Sequence, residues 1–183
     1  MSRLKMINRL KSSHTNLSDL DKYLPEYLLQ NYFKFAFVRN PWSWQVSLYE
    51  YAKLNTKHFQ HELHSKLSNF SDYISWRVEN EPRFQTDFII NSKGDFCLNY
   101  LRRFEDLDKD FEYCCNHLNI SRSLPKKNVS VTKDYRAYYN QKTAEIIAEV
   151  FKKDIENFGY DFDGVSATIE PKFPIQKLIN YPS

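Results

Sequence analysis

At 183 residues the chain has the length of one domain with its own core. Its 26 basic and 23 acidic side chains leave a net charge of +3, too small for the concentrated positive face that binding RNA or DNA requires. No stretch approaches the ~20 apolar residues that cross a bilayer, and Met1 to Lys11 lacks the apolar centre of a signal peptide, so a cytoplasmic location is expected.

Leu4, Ile7 and Leu10 place an apolar stripe on a basic N-terminal helix. Ser18-Asp19-Leu20-Asp21 reads as a capping box opening a short helix that runs to Pro25, and a second turn begins at that proline. Tyr32 to Val38 is aromatic and β-branched, apolar on both faces apart from Lys34, as a strand covered on both sides would be. Asn40-Pro41 ends it and starts a helix, because asparagine suits the N-cap and proline the first helical position. His58 to His64 is polar, a loop or an exposed helix in which solvation is favoured over metal binding, and Asn69 caps a helix through Val78. Phe88 to Ile90, a turn at Gly94 and Phe96 to Leu98 predict a hairpin; Asn99 to Phe104 a strand, with Phe104 in the core; and Glu105 to His117 a helix. Asn140 caps a final helix over 141–157, whose stripe of Ala144, Ile147, Ala148, Phe151 and Ile155 is core, and Gly159 ends it.

Cys97, Cys114 and Cys115 read as reduced thiols, with no histidine and cysteine set at zinc spacing. Glycine is more informative. Only Gly94, Gly159 and Gly164 occur, so the first half of the chain cannot build the glycine-rich loop that commonly cradles phosphates. A phosphate site there must use side chains and a helix end. Arg39, where the strand turns into the helix, sets a guanidinium beside N-terminal N–H groups that favour anions, and its fork can meet two phosphate oxygens. Ser47 lies two turns further along the helix. On spacing alone, a surface arginine paired with a carboxylate is the simpler reading.

The run Phe35-Ala36-Phe37-Val38-Arg39-Asn40-Pro41-Trp42, followed by Ser47-Leu48-Tyr49, resembles the 3'-phosphate-binding motif of the sulfotransferase superfamily. Leu101-Arg102-Arg103-Phe104-Glu105-Asp106-Leu107 and Tyr135-Arg136-Ala137-Tyr138-Tyr139, with Asp154-Ile155 and Phe158-Gly159-Tyr160, are similar to later blocks of its carbohydrate-sulfotransferase-like branch. The resemblance implies an α/β domain over 1–163, Rossmann-like and akin to P-loop NTPases, with a parallel sheet flanked by helices, then an extended tail over 164–183. It implies transfer of a sulfuryl group from 3'-phosphoadenosine 5'-phosphosulfate to a hydroxyl of a carbohydrate or glycolipid, without a metal. Arg39 and Ser47 are then the donor-binding pair. Ser130 and Lys133 belong to a loop that in related enzymes closes over the nucleotide, with Lys126, Lys127 and Arg136 in or beside it. His14 is the candidate base, since some family members carry a histidine in a comparable place, although a lone histidine before a helix is more often an exposed polar residue.

The family's phosphosulfate loop has no counterpart: Lys11-Ser12-Ser13 lacks both the glycine and the apolar strand before it. The expected domain is therefore truncated at its N-terminus, with an apolar edge beside Tyr32 to Val38 through which copies associate. The alternative is a non-catalytic nucleotide-binding or protein-interaction module derived from a sulfotransferase. Membrane association is expected only through the acceptor.

Overall fold

The structure, a computed structural model, describes residues 15–124 and 134–175. Helix α1 (Leu17–Tyr23) and helix α2 (Glu26–Asn31) lead into strand β1 (Phe35–Val38). The expected capping box is not formed: Asn16 is the N-cap of α1 and no side chain caps it. Strand β1 is shorter than its apolar run because the Asn99 side chain, rather than a strand, accepts from the Lys34 N–H (2.9 Å).

Asn40 and Pro41 turn the chain into helix α3 (Pro41–Leu54), followed by α4 (His61–Lys66) and α5 (Phe70–Asn80), whose first turn is capped by Asn69. A 3-10 turn (Gln85–Phe88) precedes the expected hairpin and takes in Phe88, the first residue of its first arm. The hairpin itself forms as a short one: Ile90 bridges Phe96 antiparallel, the Asn91 N–H donates to the Asp95 carbonyl and the Cys97 N–H to the Ile89 carbonyl, around Gly94 at positive φ. The Asp154 carboxylate accepts from the N–H groups of Gln85 and Thr86 and so stabilises the 3-10 turn.

Strand β2 (Tyr100–Arg103) pairs in parallel with β1, Phe35 opposite Tyr100 and Val38 opposite Arg103. Parallel pairing demands a crossover, which the helices from α3 to α5 provide. After a 3-10 turn (Phe104–Asp106) comes α6 (Leu107–His117), and after a second (Tyr135–Tyr138) come α7 (Gln141–Val150) and α8 (Lys152–Phe158). The predicted single helix over 141–157 is thus two, joined at the fully buried Phe151, which lets α7 pack on α5 while α8 reaches the 3-10 turn at Gln85. Gly159 takes the left-handed conformation (φ 67°) that ends α8, and β3 (Tyr160–Asp161) pairs antiparallel with β4 (Gly164–Val165). Residues 166–175 lack helix or strand but lie back on α8, with the Phe173 N–H donating to the Asn157 carbonyl.

Two apolar clusters hold these pieces. Trp42, Val46 and Tyr49 of α3 meet Phe70, Tyr73 and Ile74 of α5 and Ile147, Phe151 and Ile155 from α7 to α8. Val38 and Leu101 of the sheet meet Ile89, Phe158 and Tyr160. The opposite sheet face carries Tyr100, which stacks on Tyr113 of α6 at 4.6 Å. On that face Phe35 remains 36% exposed, and among the described residues no strand lies beyond β1. The described chain is thus a mixed α/β arrangement with a small parallel sheet. No described helix is long and apolar enough to cross a membrane.

Candidate functional site

Parallel strands present their C-terminal ends as the usual ligand edge of an α/β sheet. Here those ends carry Arg39 after β1 and Phe104 after β2. Asn40, 1% exposed, caps α3: its side-chain oxygen accepts from the N–H groups of Trp42 (3.0 Å) and Ser43 (3.2 Å). The Trp44 N–H donates to the Asn40 carbonyl, and Pro41 has no N–H. The expectation of unpaired amides at this helix start is therefore corrected, because the cap has already engaged them. Any anion here is held by side chains, aided by the helix dipole.

The Arg39 side chain is half-buried and directed along α3, its Nε donating to the Ser43 hydroxyl at 2.9 Å. Ser43 and Ser47, four residues apart on α3, share one helix face. Arg39, Ser43 and Ser47 accordingly form a row of donors. Arg39 forms no ion pair with a described carboxylate. Burial lowers the pKa of its guanidinium, while Glu105 and the Tyr160 phenol pull the other way. Its guanidinium carbon stands 4.6 Å from the centroid of the Phe104 ring. Phe104 is 42% exposed, so its expected place in the core is also corrected: it forms a platform beneath Arg39.

The Arg39 main chain is held as firmly. Its N–H donates to the Gln85 side-chain oxygen (2.8 Å), and its carbonyl accepts from the Gln85 side-chain nitrogen (2.7 Å). Next to it, the Tyr160 hydroxyl bridges the Val38 carbonyl (3.1 Å) and the Glu105 carboxylate (2.8 Å), and burial drives the Tyr160 pKa upward.

Of the other anticipated residues, His14, Ser130 and Lys133, with Lys126 and Lys127, lie outside the described residues. Arg136 is engaged by Asp134 (2.9 Å) and Asp163 (3.4 Å). In the histidine cluster, His61 Nδ1 lies 3.0 Å from the Ala52 carbonyl, and His64 is buried between Tyr49 and Tyr73, contrary to the expected solvated face. Among the described residues no group of His, Cys, Asp or Glu is placed to hold a metal. Two members of the site, Ser43 and Gln85, escaped the sequence reading. Helical spacing from Arg39 was sufficient to mark Ser43, whereas Gln85, 46 residues away, left no local signal.

A strand that ends in arginine, a capped helix start and serines on the helix face thus meet at the C-terminal end of β1, where the sequence motif runs. Residues 2–161 match the model of the sulfotransferase family, and the chain belongs to that family. No curated protein and no solved structure matches it.

Proposed function

We propose that this chain is a sulfotransferase that takes its sulfuryl group from 3'-phosphoadenosine 5'-phosphosulfate, with Arg39, Ser43 and Ser47 gripping the 3'-phosphate. The observation that carries this reading is the row of three donors running from the end of β1 along α3, headed by a guanidinium that forms no ion pair among the described residues. Arginine's fork suits a doubly charged phosphate, and the serine hydroxyls add neutral donors. The domain reading over 1–163, Rossmann-like and with 164–183 as its tail, belongs to the same proposal, as do Ser130 and Lys133 as further donor contacts and His14 as base.

The acceptor in this reading is a hydroxyl of a carbohydrate or glycolipid. Sulfuryl transfer parallels phosphoryl transfer: the acceptor oxygen bonds to sulfur as the bond to the phosphate oxygen breaks, and the hydroxyl proton goes to a base. Positioning and stabilisation of the departing bisphosphate provide most of the rate. The test is calorimetric titration with 3',5'-bisphosphoadenosine, alongside transfer of labelled sulfate from the donor to desulfated polysaccharide. Arg39→Ala is expected to weaken binding by about 1.5–3 kcal/mol, the worth of a charge-assisted hydrogen-bonding partner. Equal affinity in the two proteins would remove the assignment.

A further inference from the structure

We propose that Gln85 is the residue that positions Arg39, gripping its peptide groups in place of a neighbouring strand. The inference rests on Arg39 being the phosphate-binding group.

In a parallel pair successive residues direct their N–H and C=O groups to alternate sides. The Lys34 carbonyl accepts from the Tyr100 N–H, so the even-numbered residues of β1 face β2 and the odd-numbered ones, continuing to Arg39, face the opposite edge. No described strand lies at that edge. An Arg39 peptide left there without a partner would be free to rotate, and the guanidinium would swing with its Cα–Cβ bond.

Gln85 removes that freedom. A carboxamide has the same donor and acceptor as a peptide group, and here both are used, at 2.8 and 2.7 Å. The orientation of the amide is forced, because flipping it would set donor against donor and acceptor against acceptor. Gln85 is itself fixed from below: its N–H donates to Asp154 (2.7 Å), and the Thr86 N–H (3.0 Å) and hydroxyl (2.6 Å) donate to the same carboxylate. Asp154 is fully buried on α8. A continuous chain of bonds thus runs from the core of α8 through the 3-10 turn to the Arg39 backbone. Both hydrogen bonds from the Gln85 side chain to Arg39 end on its main chain, so Gln85 acts through placement.

The experiment is titration of 3',5'-bisphosphoadenosine into wild type, Gln85→Ala, Gln85→Met, Arg39→Ala, Arg39→Lys and the double variant Arg39→Lys/Gln85→Ala, with thermal melts of each. Methionine keeps the length of glutamine without its hydrogen bonds and guards against a packing defect. Both Gln85 variants are expected to lose about tenfold in affinity, since small misplacements of a positioned group are costly. In the Arg39→Lys background the same change is expected to cost less than about twofold, because a flexible point charge does not depend on the angle of a fork. Equal losses in the two backgrounds would make Gln85 a merely structural residue, and wild-type affinity in Gln85→Ala and Gln85→Met would give it no role. Weak binding by Arg39→Ala with unchanged binding by the Gln85 variants overturns this inference alone. Absent binding by wild type, or unaltered binding by Arg39→Ala, overturns the phosphate assignment and this inference with it.

Discussion

The guanidinium carbon of Arg39 stands 4.6 Å from the centre of the Phe104 ring, where a carboxylate would otherwise be the natural partner. A ring face attracts the cation without neutralising it, which leaves the charge available to an incoming phosphate. Phe104→Ala is expected to weaken 3',5'-bisphosphoadenosine binding by about 0.5–1 kcal/mol, the size of a cation–π contact at a partly exposed site. Phe104→Glu is expected to be worse, since the new carboxylate competes for the same guanidinium. Calorimetry on both checks this, and unaltered affinity in Phe104→Ala would remove the platform role.

Asn40 joins the site to the hairpin beyond α8. While its oxygen caps α3, its side-chain nitrogen donates to the carbonyls of Asp161 (2.8 Å) and Gly164 (3.3 Å). Asn40→Ala removes the cap and leaves buried groups unpaired, at a cost of about 2–3 kcal/mol in urea unfolding. Serine caps helices well but is too short to reach the hairpin, so Asn40→Ser is expected to recover about half of that loss. Equal stability of the alanine and serine variants would mean that the cap contributes nothing.

His64 makes the fold sensitive to acid. Burial, and then the nearby His58, His61 and Arg77, lower its pKa from the ordinary 6.5 to about 4. Neither ring nitrogen has a hydrogen-bond partner, so the neutral form is the one that the fold accommodates. The unfolded chain binds this proton more tightly, so the contribution is fully present above pH 6.5 and is lost as the pH falls towards 4. Between pH 7.5 and pH 4.5 that loss amounts to about 2–3 kcal/mol. His64→Phe, an apolar ring between Tyr49 and Tyr73, is expected to remove this part of the acid sensitivity. Parallel stability curves for wild type and His64→Phe would refute the assignment.

Much of this organisation was legible in local sequence. Asn40-Pro41 and Asn69 announced helix starts because capping is read from adjacent residues, and Gly159 marked a helix end because a left-handed residue is needed there. Arg39 and Ser47, eight residues apart, came from one motif. What stayed hidden depends on partners far along the chain. The 3-10 turn at Gln85 forms because Asp154 binds its amides, and α7 and α8 separate at Phe151 although their apolar stripe continues unbroken. His64 looked like one of three surface histidines, and its burial between Tyr49 and Tyr73 follows from how α4 settles on α3 and α5.

The face of β2 beneath α6 holds an ion pair that supports the second strand of the site. The Arg102 Nε donates to Asp110 at 2.7 Å, their side chains 8% and 0% exposed, and the Tyr100 hydroxyl donates to the same carboxylate at 3.2 Å. Burial and Asp110 both raise the pKa of Tyr100, so the phenol stays protonated and remains a donor. Removing one partner of a buried pair strands the other charge, and Asp110→Ala is therefore expected to cost about 3–5 kcal/mol in urea unfolding. Replacing the whole set with apolar side chains removes the desolvation penalty as well as the attraction. The triple variant Tyr100→Phe, Arg102→Met, Asp110→Leu is accordingly expected to lie within about 1–2 kcal/mol of wild type. A triple variant as unstable as Asp110→Ala would show that the pair contributes net stability to the sheet, beyond compensating for its own burial.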